Sequence, residues 1–168
     1  MNLFKTFYPD EEAGSVYDID FNALYSAGYR GIIFDIDNTL VPHGADATPK
    51  AEELFRNLYE TGFKTCLLSN NKEERVARFN KNIDSFYIFK ANKPSRKGYF
   101  DAMKLMGTDP ASTLFVGDQL FTDVWGAKRA GIHSILTKPI HPKEEIQIVL
   151  KRKLERIVLY FYHKSINK

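Results

Sequence analysis

The chain has 168 residues, of which 43% are hydrophobic and 27% are charged, as expected for one soluble globular domain. Its single cysteine, Cys66, excludes an internal disulfide framework and a multi-cysteine metal cluster; because it lies in an apolar run, we expect an inert buried thiol. No apolar run reaches the roughly 18 residues of a transmembrane helix, and the acidic N-terminus is unlike a secretory signal. We therefore expect an intracellular, cytoplasmic protein.

Strands and helices are predicted to alternate along the chain after an extended, aromatic-rich lead-in over residues 1–20. The predicted strands are Gly31–Phe34, a strand from Lys64 that ends in Ser69-Asn70-Asn71, Ser85–Lys90, Thr113–Val116 and His133–Leu136. The predicted helices are Asp20–Gly28, Pro49–Gly62 with Thr48 as its cap, Lys72–Lys81, Gly98–Met106, Asp123–Ala130 and Pro142–His163. This alternation predicts a three-layer α/β/α fold around a parallel sheet.

The stretch from Ile32 to Leu40 carries the first chemical signal. Its apolar start is typical of a strand buried on both faces, and Asp35 and Asp37 follow where that strand ends. Ligands of open α/β sheets bind at this carboxyl end. Two carboxylates so close repel each other unless a cation joins them or one is protonated. The stretch therefore indicates a magnesium-assisted phosphoryl-transfer site.

Other predicted strands end in polar residues that would share this edge of the sheet, because the strands are parallel. These residues are Ser69 and Asn70, Lys93, Asp118, and Asp123 five positions later. A carboxylate can attack phosphorus, and a second carboxyl group can protonate the leaving oxygen and then activate water. Carboxylates are also the hard ligands that Mg²⁺ prefers. A lysine, a hydroxyl, and the backbone amides of Asn38 and Thr39 can hold phosphate oxygens.

With these motifs in order over residues 30–137, the chain resembles the haloacid dehalogenase-like (HAD) phosphatases. The pattern DxDNTL, SNN, Lys-Pro and GDQxxTD is similar to the YqeG-type group of subfamily IIIA, which is related to mitochondrial phosphatidylglycerophosphate phosphatases. The resemblance implies a HAD-like (Rossmannoid) fold, Asp35 as nucleophile and Asp37 as general acid/base. It further implies Mg²⁺ held by Asp35, the Asp37 carbonyl, Asp118 and Asp123, and phosphate held by Asn38, Thr39, Ser69, Asn70 and Lys93.

Three assignments have structural alternatives. Lys97 competes with Lys93 as the phosphate lysine, although Pro94 favours Lys93 by restricting its backbone. Ser69 also fits ordinary turn chemistry. His43 is close to the first motif, but we expect it to be a surface residue.

The spacing of the motifs leaves no room for an inserted cap domain. Only 29 residues separate Thr39 from Ser69, and 23 separate Ser69 from Lys93, and each interval is used by a helix and a strand. An independent domain needs about 50 residues. We therefore predict a single capless domain over residues 1–168 with an open site. Such a site suits a large substrate, a macromolecule or a head group at a membrane.

The C-terminal part is basic: residues 140–168 hold seven Lys or Arg and three Glu, a local charge of +4 against −1 for the rest of the chain. We interpret it as a basic amphipathic helix and tail, in which Lys151, Arg152, Lys153 and Arg156 lie largely off an apolar stripe. The stripe, which residues 159–162 widen, consists of Ile146, Val149, Leu150, Leu154, Ile157, Val158 and Phe161. The stripe can pack on the sheet, on a second copy in a homodimer, or on an anionic membrane. We expect no nucleic-acid partner.

The leading hypothesis is a Mg²⁺-dependent phosphomonoesterase that acts through an aspartyl phosphate, with phosphatidylglycerophosphate as its leading substrate. A soluble phosphate ester or a phosphoprotein is the enzymatic alternative. A phospho-accepting receiver-like domain or a non-enzymatic scaffold is the alternative of another class. Against a receiver stands Asp37, because a receiver needs no acid/base group two residues beyond its phosphoacceptor.

Overall fold

The computed structural model, which describes residues 3–141 and 146–167, contains a sheet of six parallel strands. The strands are β1 (Glu11–Ala13), β2 (Gly31–Phe34), β3 (Lys64–Leu68), β4 (Phe86–Ile88), β5 (Thr113–Gly117) and β6 (His133–Thr137), in the spatial order β1-β6-β5-β2-β3-β4. The helices are α1 (Phe21–Ser26), α2 (Pro49–Thr61), α3 (Glu73–Asn80), α4 (Arg96–Met106), α5 (Trp125–Arg129) and α6 (Ile146–Ile166).

Successive side chains of β2 enter two different hydrophobic clusters. Ile32 and Phe34 belong to one buried cluster, whereas Ile33 packs in another with Cys66 and Phe115. Because neighbouring side chains of a strand point to opposite faces, the sheet is covered on both sides. The predicted three-layer α/β/α fold is confirmed. Burial also raises the pKa of the Cys66 thiol to about 12, as expected for an inert side chain.

The register of the central strands brings their polar ends to one edge. Phe34 of β2 is aligned with Leu67 of β3 and with Val116 of β5. The residues that follow these strands therefore leave the sheet at nearly the same level. This register is what brings the residues after β2, β3 and β5 together.

Helix α2 shows how local sequence sets element boundaries. The Thr48 side chain accepts a hydrogen bond from the Ala51 amide at 3.2 Å, and Pro49 occupies the first turn. The helix ends at Gly62, whose φ of 107° lies in the left-handed region that favours glycine. Both ends agree with the prediction.

The intervals between the motifs hold only the expected elements. Residues 35–93 are all described, and their regular helices and strands of three or more residues are α2, β3, α3 and β4. The single capless domain over residues 1–168 stays a prediction that this arrangement supports.

The N-terminal segment contains an edge strand that the sequence did not predict. Glu11–Ala13 pairs with Ile135–Thr137 of β6, although two of its three residues are glutamates, which disfavour strands. The Asp10 side chain fastens this edge by accepting hydrogen bonds from the Ser134 amide at 2.9 Å and from Lys128 Nζ at 2.8 Å. Tertiary hydrogen bonds thus outweigh a weak local preference.

Asp10 should make the stability of the fold depend on pH. Burial raises the pKa of Asp10, but hydrogen bonds from Lys128 and Ser134, together with the charge of Lys128, outweigh burial and lower it. Ionised Asp10 therefore stabilises the fold above the unfolded-state pKa of about 4, and this contribution is lost as the pH falls through the lower folded-state pKa. We expect Asp10→Asn to lose about 1 kcal/mol in urea unfolding at pH 7, and less below pH 4. Equal stability at pH 7 would contradict this role.

Helix α6 packs on its own chain through one side of the predicted apolar stripe. Val158 and Tyr162 join Tyr8, Leu120 and Val124 in a buried cluster. Other residues of the stripe face outward, and the exposed fraction is 65% for Leu150, 55% for Leu154 and 50% for Ile157. The predicted start of this helix, residues 142–145, lies outside the described residues.

Two polar side chains on the packed face explain how α6 is rotated about its axis. Glu155 accepts a hydrogen bond from the Leu120 amide at 2.8 Å, and Arg152 donates to Glu155 at 3.0 Å. Both side chains lie on the packed face.

None of the helices described in this structure is long and apolar enough to cross a membrane.

Candidate active site

Three aspartates meet at the carboxyl edge of the sheet. Asp35, Asp118 and Asp123 each offer a carboxylate oxygen, and these oxygens lie within 4.8 Å of one another. Lys93 lies among them, with its Nζ 2.6 Å from Asp35 Oδ1 and 2.8 Å from Asp123 Oδ1. The exposed fraction of every one of these residues is 8% or less. The structure thus brings together four residues that the sequence placed at different strand ends.

Asp123 is positioned by the turn after β5. It lies in a π-helical turn, Leu120–Val124, so the helix predicted from Asp123 begins two residues later, at Trp125. Its Oδ2 accepts hydrogen bonds from the amides of Asp118 and Gln119, both at 3.1 Å. A Cβ at Gly117 would lie 2.5 Å from this same oxygen, so glycine is required for the close approach.

The loop after β2 contributes the Thr39 hydroxyl to the cluster. This hydroxyl lies 3.1 Å from Asp35 Oδ2 and 3.3 Å from Asp118 Oδ1. The neighbouring amides act differently: the Asn38 amide donates to the Val41 carbonyl at 2.7 Å, and the Thr39 amide donates to the Ile36 carbonyl at 3.2 Å. Both amides are thus engaged within the loop, and the phosphate-binding role expected of them stays a prediction.

Asp37 is held by a separate set of donors. Its Oδ1 accepts hydrogen bonds from the Gly44 amide at 2.7 Å and from Arg75 at 2.9 Å, and its Oδ2 accepts one from the Asn71 side chain at 2.7 Å. His43 lies 4.0 Å away with a half-exposed side chain, in agreement with a surface position. Sequence reasoning missed Arg75; its only signal was its place in the helix after the Ser-Asn-Asn motif.

Ser69 and Asn70 support this edge in different ways. Ser69 is buried, and its hydroxyl accepts a hydrogen bond from the Asn71 amide at 3.1 Å, which is the turn chemistry considered above. The Asn70 side chain holds the Lys93 backbone, accepting from its amide at 2.7 Å and donating to its carbonyl at 3.2 Å. Asn70 therefore acts on Lys93, whereas the alternative Lys97 pairs with Asp101 on the surface.

Burial governs the electrostatics of the aspartate cluster. Burial is the largest cause that raises the pKa of Asp35, and the charges of Asp123 and Asp37 raise it too, whereas the charge of Lys93 lowers it. Together these causes give Asp35 a pKa of about 6. Burial also raises the pKa of Asp118, followed by the charges of Asp35 and Asp123. Burial alone would lower the pKa of Lys93, but the charges of Asp123 and Asp35 raise it, so the lysine stays protonated.

Helix α6 reaches this cluster through Arg152, a second residue that the sequence did not single out. Its guanidinium pairs with the Asp118 carboxylate and donates to the Asp118 carbonyl at 2.5 Å. The hydrophobic pattern predicts Arg152 off the apolar stripe, with the other basic residues of the helix. Its sequence neighbours carry no sign of this role, since it depends on how the helix is rotated.

Comparison with known proteins agrees with this site. Residues 43–131 match the family model for haloacid dehalogenase-like hydrolases. The Bacillus subtilis protein named probable phosphatase YqeG is 37% identical over 94% of this chain and 92% of its own length. The chain belongs to the haloacid dehalogenase-like (HAD) hydrolase family. It is an enzyme of the phosphatase type, and the resemblance to the YqeG-type group is confirmed.

More distant relatives match less completely. The chloroplastic phosphatidylglycerophosphate phosphatase 1 of Chlamydomonas reinhardtii is 24% identical over 88% of this chain, which spans 59% of that relative's length. A HAD-superfamily hydrolase from Ehrlichia chaffeensis superposes with a TM-score of 0.53 at 19% identity, over 64% of this chain and 89% of that one. The latter likeness bears on the fold alone.

The aspartate cluster fits the divalent metal that HAD hydrolases use. Its donors are hard carboxylate oxygens, which suit Mg²⁺. When ionised, three carboxylates face two cations, Lys93 and Arg152, which leaves negative charge for a metal to neutralise. Both oxygens of Asp123 already accept hydrogen bonds, from Lys93 and from backbone amides, so Asp123 suits a supporting role.

Proposed function

We propose that this HAD phosphatase hydrolyses phosphomonoesters through an aspartyl phosphate formed on Asp35. The observation that carries the proposal is the position of Asp35, at the end of β2 and 2.6 Å from Lys93 Nζ. Its pKa of about 6 leaves it largely ionised at neutral pH, as a nucleophile requires. Asp35 attacks phosphorus, the P–O bond to the leaving group breaks, and water later releases the phosphate from Asp35.

Asp37 would move the proton in both halves of this reaction. In the first half it protonates the leaving oxygen, and in the second it takes a proton from the attacking water. Three hydrogen bonds, from Gly44, Asn71 and Arg75, hold its carboxyl group in one orientation. Among the described residues, Oδ2 accepts a hydrogen bond from Asn71 alone, and we propose that this oxygen carries the proton.

Lys93 and Ser69 would bind the transferring phosphoryl group. Lys93 is a buried ammonium already beside the nucleophile, where it can offset the charge of the phosphoryl oxygens. Asn70 would act by holding the Lys93 backbone, and the Asn38 and Thr39 loop would complete the phosphate site. Asp35, Asp118 and the Asp37 carbonyl would hold Mg²⁺, supported by Asp123. When bound, the metal would neutralise charge on the phosphoryl oxygens.

The leading substrate we propose is phosphatidylglycerophosphate. This choice is supported by the two relatives named for that activity in Chlamydomonas reinhardtii and Arabidopsis thaliana, of which this chain spans 59% and 44%. A soluble phosphate ester and a phosphoprotein are the other substrate classes. A receiver-like or scaffold role would instead show no turnover.

A panel of phosphate esters assayed with and without Mg²⁺ tests this function. We expect release of phosphate only when Mg²⁺ is present, loss of activity with EDTA and recovery when Mg²⁺ is added back. Phosphatidylglycerophosphate in mixed micelles should be the best substrate of the panel. Transfer to Asp35 without turnover would favour a receiver-like role, and activity unaffected by EDTA would contradict the metal assignment.

We also propose that the outer face of α6 contacts an anionic membrane peripherally. The proposal is supported by the exposed side chains of Leu150, Leu154 and Ile157, and by Lys153 and Lys164 beside them. In a flotation assay at low salt, the protein should float with vesicles that contain phosphatidylglycerol. The double substitution Leu154→Glu with Ile157→Glu should abolish this co-flotation. A dimer that dissociates in the same double variant, without flotation of the wild type, would assign the face to a homodimer instead.

A further inference from the structure

A large cavity opens directly beside the aspartate cluster. Its volume is about 740 Å³, and Asp118 lines it as well as the catalytic edge. One wall is formed by side chains of α6 from Val149 to His163, and the other is the edge of the sheet formed by β1 and the end of β6. The cavity is within the size range of small-molecule sites. No role proposed above uses it.

The walls of this cavity combine cations with apolar carbon and with the carboxylates of Glu12, Asp118 and Glu155, which pair with Arg152 or His163. Its basic side chains are Lys138, Arg152, Lys153, Arg156 and His163. Leu120, Leu136, Val149 and Leu159 supply the apolar part. A ligand that fits these walls needs an anionic group next to a hydrocarbon or glycerol portion.

Three of the cations are available to such a ligand. Arg152 is paired with Asp118 and Glu155, and His163 lies 2.7 Å from Glu12. In contrast, no carboxylate among residues 3–141 and 146–167 forms a salt bridge with Lys138, Lys153 or Arg156. These three side chains therefore put positive charge on the cavity without neutralising partners in the described chain.

We propose that this cavity binds a second, non-reacting phosphate of the substrate, so that the enzyme selects phosphomonoesters that also carry a phosphodiester. The inference rests on the proposed function, because it takes the aspartate cluster as the place of hydrolysis. Lys153 and Arg156 bind the phosphodiester oxygens, and the apolar wall receives the adjoining carbon chain. The same chemistry is found in a phospholipid head group and in its soluble, deacylated counterpart.

A comparison of substrates with one and two phosphates tests the cavity. The ratio to measure is kcat/KM for deacylated glycerophosphoglycerophosphate over kcat/KM for glycerol 3-phosphate. In Lys153→Ala with Arg156→Ala, we expect this ratio to fall roughly tenfold from the wild-type value. Lys151→Ala is the matched control, because Lys151 is an exposed lysine of the same helix that does not line the cavity.

A second substrate arm uses phosphatidylglycerophosphate in mixed micelles. A similar fall with both substrates supports the phosphodiester site and indicates a lipid as the natural substrate. A fall with the soluble substrate, in an enzyme that does not hydrolyse the lipid, supports the site and indicates a soluble natural substrate. An unchanged ratio, or a fall with micelles alone, overturns the proposal. So does an equal fall in the Lys151→Ala control.

Direct binding separates this proposal from the proposed function. Glycerophosphoglycerol carries the phosphodiester without a monoester, and its binding can be titrated calorimetrically without any turnover. We expect about tenfold weaker binding to the double variant than to the wild type, with circular dichroism showing that both are folded. If the wild type hydrolyses no ester but still binds glycerophosphoglycerol about tenfold more tightly than the double variant does, the proposed function is wrong and the proposed phosphodiester site is supported. Equal affinities overturn the cavity.

Discussion

Replacing Asp35 with asparagine is expected to lower kcat by roughly 10⁴-fold or more while the protein stays folded. An amide cannot supply the carboxylate that attacks phosphorus. The fold should not suffer, because burial raises the pKa of Asp35 to about 6. A raised folded-state pKa means that ionised Asp35 opposes folding above the unfolded-state pKa of about 4, fully so above pH 6. Removing this charge should therefore leave the free energy of unfolding at pH 7 unchanged or raise it.

The Asp35 variant should be assayed with a chromogenic phosphate ester, and its unfolding followed in urea. Asp101→Asn is the matched control, since Asp101 lies on the surface and pairs only with Lys97 in the salt bridges of the described chain. That control should keep wild-type activity. Mass spectrometry after a rapid acid quench should detect a phosphorylated wild-type enzyme and an unmodified Asp35→Asn variant. An Asp35→Asn enzyme with more than about a tenth of wild-type kcat would refute the nucleophile assignment.

Replacing Lys93 with methionine should damage both activity and stability. The ammonium lies 2.6 Å from Asp35 and 2.8 Å from Asp123, and its side chain is 4% exposed. Breaking a buried ion pair by removing one partner costs about 3–5 kcal/mol, because the other charge is left uncompensated. Here the remaining carboxylates would face one another. We expect a loss of this size in urea unfolding at pH 7, and kcat at least about 10²-fold lower.

Two comparisons make the Lys93 prediction specific. In Lys93→Met with Asp123→Asn, removal of one carboxylate should restore part of the stability but none of the activity. Lys97→Met, at an exposed neighbouring lysine, should change the free energy of unfolding by less than about 0.5 kcal/mol. A loss below about 1 kcal/mol for Lys93→Met would show that the buried pair does not stabilise the fold.

The positions of the acidic motifs followed directly from the sequence. Asp35, Asp118, Asp123 and Lys93 were predicted to share an edge. The structure brings carboxylate oxygens of the three aspartates within 4.8 Å of one another and Lys93 within ion-pair distance of two of them. Strand patterning and parallel topology are enough for this, because the carboxyl ends of neighbouring parallel strands must lie together. The boundaries of α2 were equally local, since they depend on Thr48, Pro49 and Gly62.

Other features depended on contacts between residues far apart in the chain. Strand β1 forms from glutamates because β6 offers hydrogen bonds. Arg75 orients Asp37 across 38 positions, a distance at which no sequence periodicity links two residues. Such contacts have no local signature, so composition and spacing do not reveal them.

The sequence by itself thus determined the α/β class, the order of the motifs and the residue types that meet at the carboxyl edge of the sheet, because these follow from short-range patterns and strand direction. Tertiary structure alone decided how α6 is rotated. Arg152 and Glu155 face the body, where Asp118 and the Leu120 amide are their partners. Leu150, Leu154 and Ile157 of the apolar stripe are turned outward. The hydrophobic pattern predicted Arg152 off the packed face, because it does not count a buried ion pair and hydrogen bonds as a packing force.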